Sequence, residues 1–338
     1  MSKKNKVVDT PGQSEWLPLF LDFTSNLTVD SKESGVGPLN LYGSQMRFLA
    51  EIIEGLERDV HTFVNLKAMQ LGCCLHPDHR VLTADLRWKK ISDLKIGDEL
   101  VATDEEPPGG HGRDRKMRTS RVEAIREVHE RAVKFTFDDG RQLTATPEHR
   151  FLSRQRGGKS SQWRRVDKTV VGDSIRWITH PWDDANSYED GWFGGILDGE
   201  GSMRQKDRAG VECCVCQVQG DVLDRAHAYV NDRGYSDRLE IDDKHKVVNK
   251  TGSISKLGTK PVHKIVISQM QELFRLIGQA RPSRFLKKRW WEGKSLPGKK
   301  TGIGYSEVTA IDHLPEQRMI DLQTSTKTFI VEGFVSHN

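Results

Sequence analysis

The stretch Leu71-Gly72-Cys73-Cys74-Leu75-His76-Pro77-Asp78 divides the chain into two textures. Before it, Met46, Phe48, Leu49, Ile52, Ile53 and Leu56 recur at helical spacing, and residues 61–66 read as a buried strand. After it come short strands with turn punctuation, the mark of an all-β fold. Residues 80–83, 88–93 and 99–103 are strands, with Ile96-Gly97-Asp98 as a turn. Residues 133–137 alternate well, and Asp139-Gly140 folds them back on 142–146 as a tight hairpin. The β texture returns at 307–311, 318–323, 328–331 and 333–335, and the sequence closes on Ser336-His337-Asn338. Residues 105–116, rich in Pro, Gly and charge, read as a surface loop.

Length and composition bound the answer. A chain of 338 residues is enough for two or three domains. Apolar residues make up 36% and charged residues 30%, and no run reaches the roughly 18–20 apolar residues that span a bilayer. The basic start, Met1 to Lys6, is not followed by the apolar core of a signal peptide, so a cytoplasmic location and no membrane partner are expected. Residues 1–14 have the composition of a disordered arm. The net charge of +4 is small, so a nucleic-acid surface has to come from a local cluster. Five cysteines, with Cys73-Cys74 and Cys213-Cys214 adjacent, suit free thiols better than a disulfide framework.

Three motifs coincide in the β-rich part. Cys74-Leu75-His76-Pro77-Asp78 leads into Val81-Leu82-Thr83. Thr146-Pro147-Glu148-His149 follows a hairpin strand, and His337-Asn338 closes the sequence. Together they resemble the splicing motifs of inteins. The fold implied is an all-β Hint (horseshoe) splicing domain, shared with hedgehog autoprocessing domains. It would be built from residues 74–180 and 301–338. The chemistry asks for these residue types. A thiolate is the best side-chain nucleophile near neutral pH, and an amide nitrogen leaves only when it gains a proton. The resemblance therefore gives Cys74 attack on the Cys73 carbonyl, His149 the acid, and Thr146 a positioning role. Asp321 would time the middle step, in which the residue after Asn338 attacks the thioester. Asn338 would cyclise through its side-chain amide, helped by His337. No cofactor is needed. Cys73 is the rival nucleophile. Many inteins carry a His near position 327, where Lys327 stands here. As written, the sequence supplies no residue after Asn338. Ligation would then need a downstream host segment, and hydrolysis of the thioester would release residues 1–73.

Between the two halves, Asn186 to Asp190 reads as a helix start, and Phe193-Gly194-Gly195-Ile196-Leu197-Asp198-Gly199-Glu200-Gly201 resembles the LAGLIDADG motif of homing endonucleases. The elements after it read αββαββα, one α+β LAGLIDADG domain over residues 181–300. The resemblance implies cleavage of double-stranded DNA with Mg2+, a metal-holding carboxylate at Glu200, a structural Asp198, and a homodimer through the motif helix. Residues 281–300 hold eight Lys or Arg against Glu292, with Trp290 and Trp291 interleaved, a composition suited to phosphate binding. Cys213-Cys214-Val215-Cys216 is spaced too tightly for zinc and reads as strand.

Residues 1–73 form a small α/β fragment. Asn65-Leu66-Lys67-Ala68-Met69-Gln70-Leu71-Gly72-Cys73 resembles the ATP-binding loop of phage terminase large subunits, with Lys67, Gln70 and Gly72 as the phosphate-facing residues. Met69 stands where that loop usually has Arg, and no terminal hydroxyl residue is present. The fragment alone lacks what ATP hydrolysis needs, so ATP would serve only the rejoined host. The expectation is thus a phage or prophage host fragment interrupted by a splicing element. Its rivals are a packaging ATPase with a passive insertion, a hedgehog-like autoprocessing domain, and a nuclease decayed to a DNA-binding module.

Overall fold

The computed structural model describes residues 28–31, 35–38, 52, 58 and 73–338, except 109–113, 185, 207–209, 243–260 and 298–303. The chain falls into two compact units, residues 1–69 and 70–338. In the first, β1 (Thr28–Ser31) and β2 (Gly35–Pro38) pair antiparallel. The arm 1–14, most of the helix after Ser44, the strand 61–66 and the loop with Lys67, Gln70 and Gly72 lie outside the described residues.

The second unit is mostly β-sheet. Its strands begin with β3 (Cys74–Leu75), β4 (Arg80–Leu82), β5 (Trp88–Lys90) and β6 (Glu99–Thr103). A long strand, β7 (Met117–Phe137), precedes β8 (Gln142–Ala145), β9 (Arg150–Arg154), β10 (Gln162–Arg165) and β11 (Ser174–Arg176). Next comes a run of helices and strands: α1 (Tyr188–Gly199), β12 (Gly201–Lys206), β13 (Gly210–Val218), α2 (Asp221–Asp232), β14 (Asp237–Asp242), β15 (Val262–Ile267), α3 (Met270–Ala280) and the short α4 (Ser283–Leu286). The chain then re-enters the first sheet with β16 (Tyr305–Thr324), β17 (Thr328–Val331) and β18 (Phe334–His337).

The first sheet has the order β5-β4-β17-β18-β9-β11-β16-β3-β8-β7-β6, with β10 added beside β9 and a further pairing of β16 to β7. Its spine is the antiparallel pair β7–β16, in register from Val308 opposite Phe137 to Thr324 opposite Val122. The two short strands expected at 307–311 and 318–323 are one strand of 20 residues. Pro315 lies between them. A proline has no N–H to give the ladder, and the register shifts by a bulge between Leu314 and Glu316, so the strand passes through. The hairpin at Asp139-Gly140 forms, with Gly140 at φ 81°, a left-handed conformation that glycine adopts without a steric cost.

Residues 188–280 run helix, strand, strand, helix, strand, strand, helix, with a four-stranded antiparallel sheet ordered β12-β13-β15-β14. Ser187 caps α1, its hydroxyl accepting from Asp190 N at 3.2 Å. Cys213, Cys214 and Cys216 lie on β13, and all five cysteines are free. The core of this run is continuous with apolar residues of the first sheet. Phe193, Leu197, Trp182, Phe274, Trp290 and Trp291 share one apolar cluster with Leu82, Val101, Met117 and Ile330 of the first sheet. Trp290 and Trp291, read as part of a phosphate-binding surface, are therefore core residues, 7% and 1% exposed, against Phe274. An indole gains more from leaving water than from stacking at the surface when an apolar seam is within reach. Two of the basic residues around them tie this segment to the first sheet and its turns: Arg281 pairs with Asp85, and Arg289 with Glu99. Among the described residues, no helix is long and apolar enough to cross a membrane.

Candidate functional site

Cys74 is held on both sides by strands distant in sequence. On one side Asp321 of β16 is its register partner, and on the other Leu75 pairs with Ala145 of β8. Thr146, the next residue after β8, closes on the Cys73–Cys74 peptide. Cys74 N donates to Thr146 Oγ1 at 2.9 Å, and Thr146 N donates back to Cys74 O at 3.0 Å. Thr146 Oγ1 thus holds the N–H of the Cys73–Cys74 peptide, and the Thr146 N–H holds the carbonyl of the next one. The Cys73 thiol points elsewhere, donating to Glu148 O at 3.8 Å.

Both thiols are buried. Burial, then the Asp321 carboxyl, pushes Cys74 up to about 12, and burial takes Cys73 to about 11. Burial also raises Asp321, with Arg126 at 3.9 Å opposing.

His149 is fully buried. It stands in the turn after Thr146, its own N–H donating to Thr146 O at 3.1 Å. Its Nε2 is 2.7 Å from Ser336 Oγ. Nδ1 is buried and makes no hydrogen bond of good geometry among the described residues. Burial pushes the ring down to about 3, while the backbone of Cys73 favours its protonated form. His149 thus bridges the Cys73 end of the site to β18, the last strand. That strand lies on β9, with Ser336 opposite Phe151 and His337 opposite Arg150.

Asn338 is almost fully buried at the end of β18. Its backbone N donates to Lys327 O at 3.0 Å. Its side-chain amide is best satisfied with Nδ2 donating to Lys327 O at 2.9 Å and Thr324 Oγ1 at 3.0 Å, and Oδ1 accepting from Thr324 N at 3.1 Å. The opposite orientation would set an amide oxygen against the Lys327 carbonyl oxygen. His337 is 3% exposed, with Nε2 at 3.0 Å from Glu105 Oε1. Lys327 reaches the other oxygen of the same carboxylate at 3.1 Å.

Cys74, Thr146, His149, Asp321, His337 and Asn338 thus belong to one connected set of strands and hydrogen bonds. Glu105 and Ser336 are additions. Part of the stretch read as a surface loop turns inward, and nothing local in the sequence marks Glu105, whose partner is 232 positions away. Ser336 had a signal, its place two residues before the terminal Asn.

Glu200 is elsewhere, exposed at the C-cap of α1. Asp198, two residues back, accepts from Ser283 N and Arg284 N, both at 2.9 Å, and so caps α4. Among the described residues no group of three or more His, Cys, Asp or Glu side chains stands together to hold a metal ion.

No family matches the chain, and no curated protein matches it. Solved structures similar to it include a mutant of the Ssp DnaB mini-intein, with TM-score 0.37 and 11% identity over 80% of this chain and 94% of that one. The gp41-1 intein has TM-score 0.33 and 11% identity over 78% and 98% of the two chains. A DnaB intein from Synechocystis sp. PCC 6803 has TM-score 0.35 and 11% identity over 78% and 96%.

Proposed function

We propose that residues 74–338 splice themselves out of a host protein. The observation that carries this reading is the clamp of Thr146 on the Cys73–Cys74 amide, with His149 linking it to the strand that ends in Asn338. In the first step Cys74 Sγ attacks the Cys73 carbonyl carbon. The C–S bond forms, the C–N bond breaks, the thiol proton leaves, and the amine gains one. Thr146 Oγ1 holds that nitrogen, and a hydroxyl can turn from acceptor to donor. His149, neutral at pH 7, carries one N–H. If Ser336 donates to Nε2, that proton sits on Nδ1, free for the reacting peptide. The raised Cys74 thiol keeps the nucleophile silent until its proton is removed, and the Asp321 carboxyl is its nearest strand partner. In the last step Asn338 Nδ2 attacks its own carbonyl carbon and releases the residue that follows.

The test uses hydroxylamine, which traps thioesters. It is expected to release residues 1–73 from the intact chain as a hydroxamate. Cys74→Ala abolishes release, and Cys73→Ala retains it. Release that survives Cys74→Ala contradicts the reading.

A second reading, site-specific cleavage of double-stranded DNA by residues 181–300, is favoured by the two faces of α1. Phe193, Gly194 and Leu197 are buried, whereas Gly191, Gly195 and Gly199 are exposed, with Glu200 at the end. Small residues let a second helix approach closely, as a homodimer on a two-fold site would require. Glu200 would hold Mg2+, which would neutralise phosphodiester charge. Among the described residues no cluster of further His, Cys, Asp or Glu ligands stands with that carboxylate, so the donor set would draw on the second copy. Mg2+-dependent cleavage of the uninterrupted host gene, lost in Glu200→Gln, is the expected result. Cleavage unchanged by that substitution contradicts it.

A further inference from the structure

Glu105 occupies a position that neither the strand pattern nor the splicing motifs single out. Its backbone carbonyl accepts from Trp163 Nε1 at 2.7 Å and from Arg115 Nε at 3.1 Å, so the residue is held from behind. The Arg115 guanidinium lies over the Trp163 ring, 5.3 Å from its centroid, and that ring meets the edge of His337 at 5.0 Å. Its carboxylate then takes His337 Nε2 on one oxygen and Lys327 Nζ on the other. Lys327 in turn gives its backbone carbonyl to Asn338. The circuit Glu105–His337–Asn338–Lys327–Glu105 closes around the last residue.

We infer that Glu105 is a positioning residue for the cyclisation of Asn338: it fixes the proton of His337 on Nε2, and so leaves Nδ1 to handle the proton transferred in that step. A carboxylate only accepts, so the nitrogen facing it is the N–H in either protonation state. Nδ1 is buried and unpartnered among the described residues. In the step itself a bond forms between Asn338 Nδ2 and the Asn338 carbonyl carbon. The bond from that carbon to the next residue's nitrogen breaks. Nδ2 gives up one proton and the leaving amine gains one, with Nδ1 as relay. Burial lowers His337, and Glu105 opposes it. The charged or titratable groups facing the ring are Glu105, Lys327, Arg150 and His149. Burial would raise Glu105 itself, but the hydrogen bonds from His337 and Lys327 together hold it below its ordinary value, so it is the carboxylate at neutral pH.

The inference rests on the splicing reading and is tested separately from it. The chain is extended past Asn338 by a Ser-led reporter, in a Cys74→Ala background so that only cyclisation acts. Glu105→Gln is expected to slow release of the reporter by about 10–100-fold, the range for loss of a group that orients a reacting histidine. The limb of the pH–rate profile that follows His337 moves to lower pH, because a neighbouring negative charge is gone. Lys327→Met moves the same limb to higher pH, because a neighbouring positive charge is gone. A merely structural contact would move neither. Hydroxylamine release of residues 1–73 from Glu105→Gln with Cys74 intact shows that its fold survives. Should it not, the Lys327→Met profile carries the test. Release at the parental rate with an unmoved profile overturns the inference. A parent whose release is indifferent to Asn338→Ala overturns the splicing reading instead, and this inference with it.

Discussion

His79 shows how one side chain near the Cys73–Cys74 peptide is tied to its protonation state. Its Nε2 accepts from Thr144 N at 2.7 Å, and His76 N donates to Thr144 O at 3.1 Å, so the turn after Cys74 grips β8 two residues before Thr146. An imidazolium has no lone pair and cannot accept that bond. Burial pushes His79 down to about 4, against the opposing pull of Glu332. The folded value lies below the unfolded one, about 6.5. The stability it contributes is therefore present above about pH 6.5 and lost as pH falls toward 4, up to about 3 kcal/mol in all. Urea unfolding at about pH 7 and about pH 4.5 checks this. The stability advantage of the parent over His79→Gln should shrink at the lower pH. An advantage equal at both would show that His79 does not titrate in the folded protein. His149, lower still, acts with the same sign, and its N–H chemistry at neutral pH is that of a neutral ring.

The elements divide into those whose partners are written locally and those whose partners are not. The helix start at Ser187, the hairpin at Gly140 and the β13 strand were legible because caps, turns and alternation are local signals. The joining of β16 across Pro315 was not legible. A bulge is decided by the neighbouring strand, here the β7 residues that continue the ladder on either side. The fate of Trp290 and Trp291 was not legible either, because a basic run looks alike whether its cations meet phosphates or Asp85 and Glu99. Two adjacent glycines in α1 separate in the same way. A Cβ on Gly194 would lie 2.1 Å from Ala280 O, whereas one on Gly195 meets nothing within 4 Å. Gly194→Ala should cost about 1–3 kcal/mol by forcing α1 off the end of α3. Gly195→Ala should be neutral or stabilising by up to about 1 kcal/mol in the free chain, since alanine is the better helix former. Denaturant midpoints of the two variants check the contrast, and equal midpoints would remove the close approach of α1 to α3.

At the scale of the whole molecule, the second unit leaves its first sheet at β11, builds a helix-and-strand run, and returns at β16 beside β11, with Ser174 opposite Glu307. The insertion therefore spans the sheet without parting the strands that carry the site. The two ends of the site come from opposite ends of this unit, with Cys74 on β3 and Asn338 after β18. The six motif residues were singled out from sequence, and the structure connects them through strands and hydrogen bonds. The clamp, the Ser336 bridge and the Glu105 circuit were not legible there, because each is a contact across 70 or more positions.

The central claim is that these two ends act as one reactive centre. The most direct measurement is intact mass of the products from the chain extended past Asn338 by a Ser-led segment. The account predicts residues 1–73 joined by a peptide bond to that segment, together with free residues 74–338 ending in a succinimide. An unspliced precursor that persists, or a product pattern unchanged by Cys74→Ala and by Asn338→Ala, would contradict it.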